Sequence, residues 1–175
     1  MVNKQFNHRA AVIAGVTGGV ISGLVKLGWE NILPPRTPQR DQTNPPQQLL
    51  QQIGIPASVT HATYSYSGHD LPGVSYVMHF GFSTTFAVAY SLWARKHPRA
   101  KGGSSALYGL GIWTAFHHGI LPALGTVPAA KDQPMTEHVS EAIGHVLWMW
   151  TADWVSAAVY DRMTRSKYRF KSVSE

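Results

Sequence analysis

There is no cysteine among the 175 residues. Disulfides, thiolate metal centres and cysteine nucleophiles are therefore excluded. Charge is also scarce. Asp, Glu, Lys and Arg make up 14% of the chain, against about 25% in ordinary soluble domains. Acidic residues are the scarcer kind, 9 against 15 basic, and the net charge is +6. No phosphate-binding loop, dinucleotide fingerprint or nucleophile–base signature is present, and the glycines near the N-terminus follow no strand. This argues against conventional soluble enzymology and makes a non-enzymatic role the stronger option. There is no clean hydrophobic block either. Mean hydropathy is only -0.12, because polarity is concentrated in a Pro/Gln-rich stretch from Pro34 to Pro56 and in two basic ends.

Four apolar segments stand out between these polar parts: about 10–29, 73–93, 104–124 and 137–160. Each is near the ~20 residues that a membrane helix needs. The flanking charges alternate. Lys4 and Arg9 precede the first segment. Arg95, Lys96, Arg99 and Lys101 separate the second and third. Arg162, Arg165, Lys167, Arg169 and Lys171 follow the fourth. The other two connections carry only Arg36, Arg40 and Lys131. That alternation is the positive-inside pattern. The expected architecture is an all-α membrane protein, one membrane domain over 1–175. It has four transmembrane helices with both termini cytoplasmic, an outer loop over 31–72 and a basic cytoplasmic tail over 161–175. The lipid bilayer is its partner. A nucleic-acid binder has no reason to alternate its charge with apolar segments; the competing reading is a soluble helical bundle with basic loops at one end. Trp29, Trp93, Tyr108 and Tyr160 near segment ends suit interfacial aromatic belts.

The first segment has the basic start and apolar run of a signal peptide, but Lys26, Trp29 and Glu30 replace a small-residue cleavage site. Gly15, Gly19 and Gly23 recur every four residues, a stripe that permits close helix approach. It suits packing within one bundle or a homo-oligomer face. In the outer loop, Asn44 with Gln47 three residues on forms a capping-box pattern. This predicts a short helix with Leu49, Leu50 and Ile53 on its apolar edge, lying on the membrane surface or plugging the bundle; a flexible loop is the alternative.

The apolar segments carry ionisable groups, each needing a partner or a task in a membrane. At about 1.5 Å per residue from the outer ends, Lys26 and Glu30 lie near the surface. His79, His117 and His118 lie about 9–11 Å deep, Glu141 about 6 Å and His145 about 12 Å. His138, Glu141 and His145 share one helix face by their spacing, and Lys26 can pair with Glu30. Asp153 belongs nearer the cytoplasmic side. Four segments thus bring polar groups to one layer. Three readings stay open. The histidines hold the bundle together by hydrogen bonds. Lys26, Glu30, His79, His117, His118, His138, Glu141 and His145 sense or pass protons or ions. Or His79, His117, Glu141 and His145 bind a transition metal, or facing histidines a haem.

Two stretches carry a family resemblance. Lys26-Leu-Gly-Trp-Glu30-Asn-Ile-Leu-Pro34-Pro35-Arg36-Thr-Pro38 resembles the first-helix exit of the YagU-like inner-membrane proteins. His138-Val-Ser-Glu141-Ala-Ile-Gly144-His145-Val-Leu-Trp148-Met-Trp150 resembles their last span. His69 after Gly68, His79, and His117 with Pro122 fit the pattern between. The chain departs mainly in its outer loop, which is different and shorter. The resemblance implies a bacterial multi-pass inner-membrane protein linked to survival in acid. It marks Lys26, Glu30, Arg36, His79, His117, Glu141 and His145 as functional positions without assigned chemistry.

Overall fold

A computed structural model describes residues 6–97 and 103–171. Lys4, Arg99 and Lys101, used above to orient the chain, lie outside the described residues. The fold is mostly helical. Helix α1 (His8–Ile32) opens on Asn7, whose side chain accepts from the Ala10 N–H, an N-cap that satisfies one free backbone donor. The outer loop is ordered into three short helices, α2 (Pro38–Asp41), α3 (Pro45–Gln52) and α4 (Ala57–Thr60). A hairpin of β1 (Thr63–Tyr66) and β2 (His69–Pro72) follows. The expected capping box is present: Asn44 and Gln47 each bond the other's backbone N–H at the start of α3. The hairpin carries a short period-2 signal in Thr63-Tyr64-Ser65-Tyr66, which the expectation of a helix or flexible loop did not include. It closes through Ser67 and Gly68 at φ 52° and 78°, the positive-φ pair that tight hairpin turns require.

The remaining segments pack as a bundle. Helix α5 spans Gly73–Lys96, and α6 spans Ser104–Trp113. A π-helical turn over Thr114–Ile120 and the short α7 (Leu121–Ala123) continue α6. Helix α8 covers Met135–Lys171. It continues past Tyr160 because no proline or glycine interrupts residues 161–171. Among the described residues, one helix, His8–Ile32, is long and apolar enough to cross a membrane by length and composition. The four segments run alternately. At one end the Asn7 N–H donates to the Tyr160 hydroxyl, and Arg95 meets Asp153. At the other, Trp29 Nε1–H donates to Ser140 O, and Gln52 Nε2–H to Leu124 O.

Helix α1 lies between α5 and α8, and the glycine stripe makes this possible. A Cβ on Gly15 would sit 2.6 Å from Val88 Cα, on Gly18 2.7 Å from Ala152 O, and on Gly19 2.5 Å from Thr84 Cα. Close approach by a second helix is therefore supplied from within the chain, which is the packing use of Gly15, Gly19 and Gly23. Hydroxyls bind the same seam. Trp148 Nε1–H donates to Ser83 Oγ (2.6 Å), Ser83 Oγ–H to Gly19 O (2.7 Å) and Ser91 Oγ–H to Ala11 O (2.9 Å). The core cluster of Ala87, Tyr90, Ile112, Trp148, Met149 and Ala152 is flanked by Phe82, Phe86 and Phe116. Large apolar side chains point outward instead: Val77 is 73% exposed, Leu107 71% and Trp154 74%. A small-residue, hydroxyl-bearing seam around α1 under an apolar exterior is the packing expected of helices in a membrane.

The glycine contacts predict opposite outcomes for two substitutions. Gly19→Ala forces a Cβ onto the α5 backbone and lowers stability by about 1–3 kcal/mol. Gly28→Ala, with nothing within 4 Å, raises it by about 0.5–1 kcal/mol through helix propensity. Thermal unfolding of both purified variants in one detergent checks the pair.

Candidate functional site

The end of the bundle near the loop carries a network centred on Glu141. Helix α8 is uninterrupted there, so Glu137, Glu141 and His145 fall at spacings of four on one face. Helix α1 reaches the same level with Lys26 and Glu30, also four apart. Lys26 Nζ lies 2.5 Å from Glu30 Oε1 and 3.1 Å from Glu141 Oε2. The chain then turns at Pro34 and Pro35, which aims Arg36 back at the bundle. Its Nη1 is 3.6 Å from Glu141 Oε1, and its Nε–H donates to Asp41 Oδ1 at 3.0 Å. Arg40, one helical turn later, pairs with Glu137. Two arginines four apart on the loop thus meet two glutamates four apart on α8.

Histidines reach Glu141 from two directions. His145 Nδ1 is 3.4 Å from Glu141 Oε2, and its N–H donates to the Glu141 carbonyl at 2.7 Å. His117 Nε2 is 3.7 Å from the same carboxylate oxygen. The π-helical turn sets the position of His117. Pro122 has no N–H for the carbonyl of His118, four residues back, and Gly119 beside it weakens the regular turn further. Adjacent residues on a helix point in different directions, and in this turn His117 meets Glu141 while His118 is exposed. π-Turns of this kind occur often at functional sites. Glu141 is 5% and His145 3% exposed, so the cluster is buried, yet it borders a cavity of about 310 Å³. Helix α3 lines one side of that cavity with Pro45, Pro46 and Leu49. Phe82, Phe116 and Trp148 line it from the bundle, where they also pack against the aromatic core.

The other sequence-marked positions divide into those that join this cavity and those that do not. His79 lines it, but its Nε2–H donates to Gly23 O at 2.9 Å, which ties α5 to α1. His118 and His138 form their own pair, 3.2 Å apart, and His138 Nε2–H donates to Ala130 O. They lie beside Trp113 rather than Glu141. Asp153 stands toward the other end with Arg95 Nη2 at 2.5 Å and the Tyr90 hydroxyl at 3.4 Å. Sequence reasoning passed over Arg40, Asp41 and Glu137 as participants. The matched four-residue spacings of Arg36/Arg40 and Glu137/Glu141 were the available signal.

Chemically, the cluster offers charge and imidazole ligands at the base of a pocket. His117, Glu141 and His145 each present one ligand atom, and the three lie within 4.8 Å of one another. The two imidazole rings stand edge to face with centroids 5.2 Å apart. That spacing leaves no slot for a haem macrocycle between them.

Fold and site together define a helical bundle with an apolar exterior and a charged, histidine-bearing cavity at one end. A family model described as a protein of unknown function, DUF1440, matches residues 20–154, and the chain belongs to that family. It is 30% identical over 177 residues to the inner membrane protein YagU of Escherichia coli strain K12, covering 88% of this chain and 86% of that protein. No solved structure gives a significant match.

Removal of one buried partner tests the network. Lys26→Met leaves Glu141 and Glu30 without the ammonium between them and lowers stability by about 3–5 kcal/mol, the usual effect of breaking a buried pair. Arg165→Ala, at an exposed pair with Asp161, changes it by no more than about 0.5 kcal/mol. Unfolding midpoints of the two variants, measured side by side, give the comparison.

Proposed function

We propose that the chain is a multi-pass inner-membrane protein of bacteria that acts in acid tolerance, with the Glu141 cluster as an ion-sensing site facing the outer side. The reading has four spans in a single membrane domain and both termini in the cytoplasm. The apolar exterior and the alternating basic connections support it. The relative named an inner membrane protein supports the location. The acid-tolerance setting is the one that the family resemblance implies.

One observation carries the site assignment. Glu141 is a buried carboxylate contacted from α1, the outer loop, the π-turn and its own helix, at the border of a cavity. Buried ionisable groups in a membrane bundle are functional by default, because each is expensive to maintain. The cavity is lined by loop α3 on one side and by Phe82, Phe116 and Trp148 on the other, and these join the aromatic core that includes Tyr90 and Phe86. A cavity backed by a packed aromatic layer favours sensing over conduction. An ion entering from the outer side reaches Glu141, whereas the Arg95–Asp153 pair lies past that layer.

The absence of native cysteine makes topology easy to test. Single cysteines at Gln133 and Ser67 are expected to react with a membrane-impermeant thiol reagent applied to intact cells. One at Arg165 is expected to react only after permeabilisation. Reaction of Arg165→Cys in intact cells would overturn the four-span arrangement. For function, cells lacking the protein are expected to survive acid challenge poorly. The wild-type chain restores survival, whereas Glu141→Gln, expressed at equal level in the membrane, does not. Full rescue by Glu141→Gln would remove the cluster from the function.

A further inference from the structure

We infer that His117, Glu141 and His145 form a binding site for a divalent transition-metal ion, with an open coordination position facing the cavity. This rests on the ion-sensing reading above and names the ion class. The donor set is two imidazoles and one carboxylate, a combination suited to zinc and neighbouring metals and to sites that keep one position free. Glu141 and His145 are one helical turn apart, and His117 approaches from the facing π-turn. Three donor atoms lie within 4.8 Å of one another. The His145 nitrogen nearest the Glu141 carboxylate is Nδ1, at 3.4 Å, so side-chain rotation brings Nε2 and the other two donors to bonds of about 2.0–2.2 Å.

Two further observations point to a cation. First, the charges lining the cavity do not cancel. Lys26 has Glu30 as its own partner at 2.5 Å, and Arg36 has Asp41 at 3.0 Å. Glu141 is the remaining carboxylate: three acids, Glu30, Asp41 and Glu141, stand against two bases, Lys26 and Arg36. An incoming metal ion displaces Lys26 from Glu141 without leaving its ammonium unpaired. Second, His145 donates its Nδ1–H to the Glu141 carbonyl, which leaves Nε2 with the free lone pair. A backbone carbonyl holding the other ring nitrogen is the usual outer-shell support of a metal-ligating histidine. His79 is not part of the set, because the donor atoms that converge within 4.8 Å belong to His117, Glu141 and His145 alone among the described residues.

The test is metal loading of the full-length protein in detergent. Co2+ is the probe, since its visible spectrum reports nitrogen and oxygen ligation and the chain has no thiols to compete. After dialysis, about one Co2+ per chain with a visible band, displaced by Zn2+, is expected. Glu141→Gln, His145→Ala and His117→Ala each weaken binding by at least ~10-fold, the lower end of what losing even an outer-shell partner does. The double variant His118→Ala/His138→Ala, which removes the exposed histidine pair, binds as wild type. Should His145→Ala fail to give a monodisperse protein, His117→Ala, at a less buried position, carries the comparison. Co2+ that dialyses away, persists in the three cluster variants or is lost with His118 and His138 overturns the proposal. Acid survival separates the two claims. Failure of Glu141→Gln to restore survival, together with no metal uptake by wild type, removes the metal and leaves the sensing function. Stoichiometric metal with full survival of Glu141→Gln supports the metal site and removes the acid role.

Discussion

The carboxylate of Glu141 joins more of this molecule than any other group described. Lys26 reaches it from α1, Arg36 from the loop, His117 from the π-turn and His145 from one turn along α8. The end of α1 with the loop that follows it, the π-turn and α8 are thereby held at one level. A buried charge cluster contributes little net stability by itself, because desolvation offsets most of the attraction. Its effect is conditional: each member is tolerable only while the others stay in place. Glu30 and Asp41 complete this arrangement by giving Lys26 and Arg36 partners of their own.

Below the cluster, cohesion comes from a different source. An apolar exterior gives helices no hydrophobic reason to associate in lipid, so close packing and hydrogen bonds must hold them. Gly15, Gly18 and Gly19 bring α1 within backbone contact of α5 and α8. Ser83 and Ser91 then reach α1 carbonyls, and Trp148 donates to Ser83. Trp148 also lines the cavity. The same residue therefore links the packed seam to the charged site, and small shifts in helix approach alter the cavity wall.

The loop is the part with the most structure beyond expectation. Its prolines suggest an extended connection, yet α3 forms a wall of the cavity and is capped as its Asn44/Gln47 pattern requires. Asn44 Nδ2–H also donates to Ser75 Oγ, and Gln52 bonds Thr126 and Leu124 O. Polar side chains that read in sequence as low-complexity linker are anchors to the bundle. The hairpin over 63–72 did carry a local signal, the polar–aromatic alternation of Thr63-Tyr64-Ser65-Tyr66 before Ser67-Gly68, but the run is only four residues long and follows the Pro/Gln-rich part of the loop.

Helical segments, most of their approximate ends, the glycine stripe and the capping box were legible in the sequence, because periodicity, composition and local spacing are properties of contiguous residues. The end of α8 was not, since the helix runs on through the basic stretch to Lys171. Local spacing also placed Glu141 and His145 on one face and paired Lys26 with Glu30. Only the tertiary structure decided which histidines meet Glu141. His117 and His118 are adjacent and equivalent in depth, and the π-turn before Pro122 sends one to the carboxylate and the other to the exposed pair with His138. His79 lies at the right level but is taken by Gly23 O. Depth along a helix follows from counting residues; rotation about its axis depends on neighbouring helices and on one irregular turn, which no local pattern in this chain specifies.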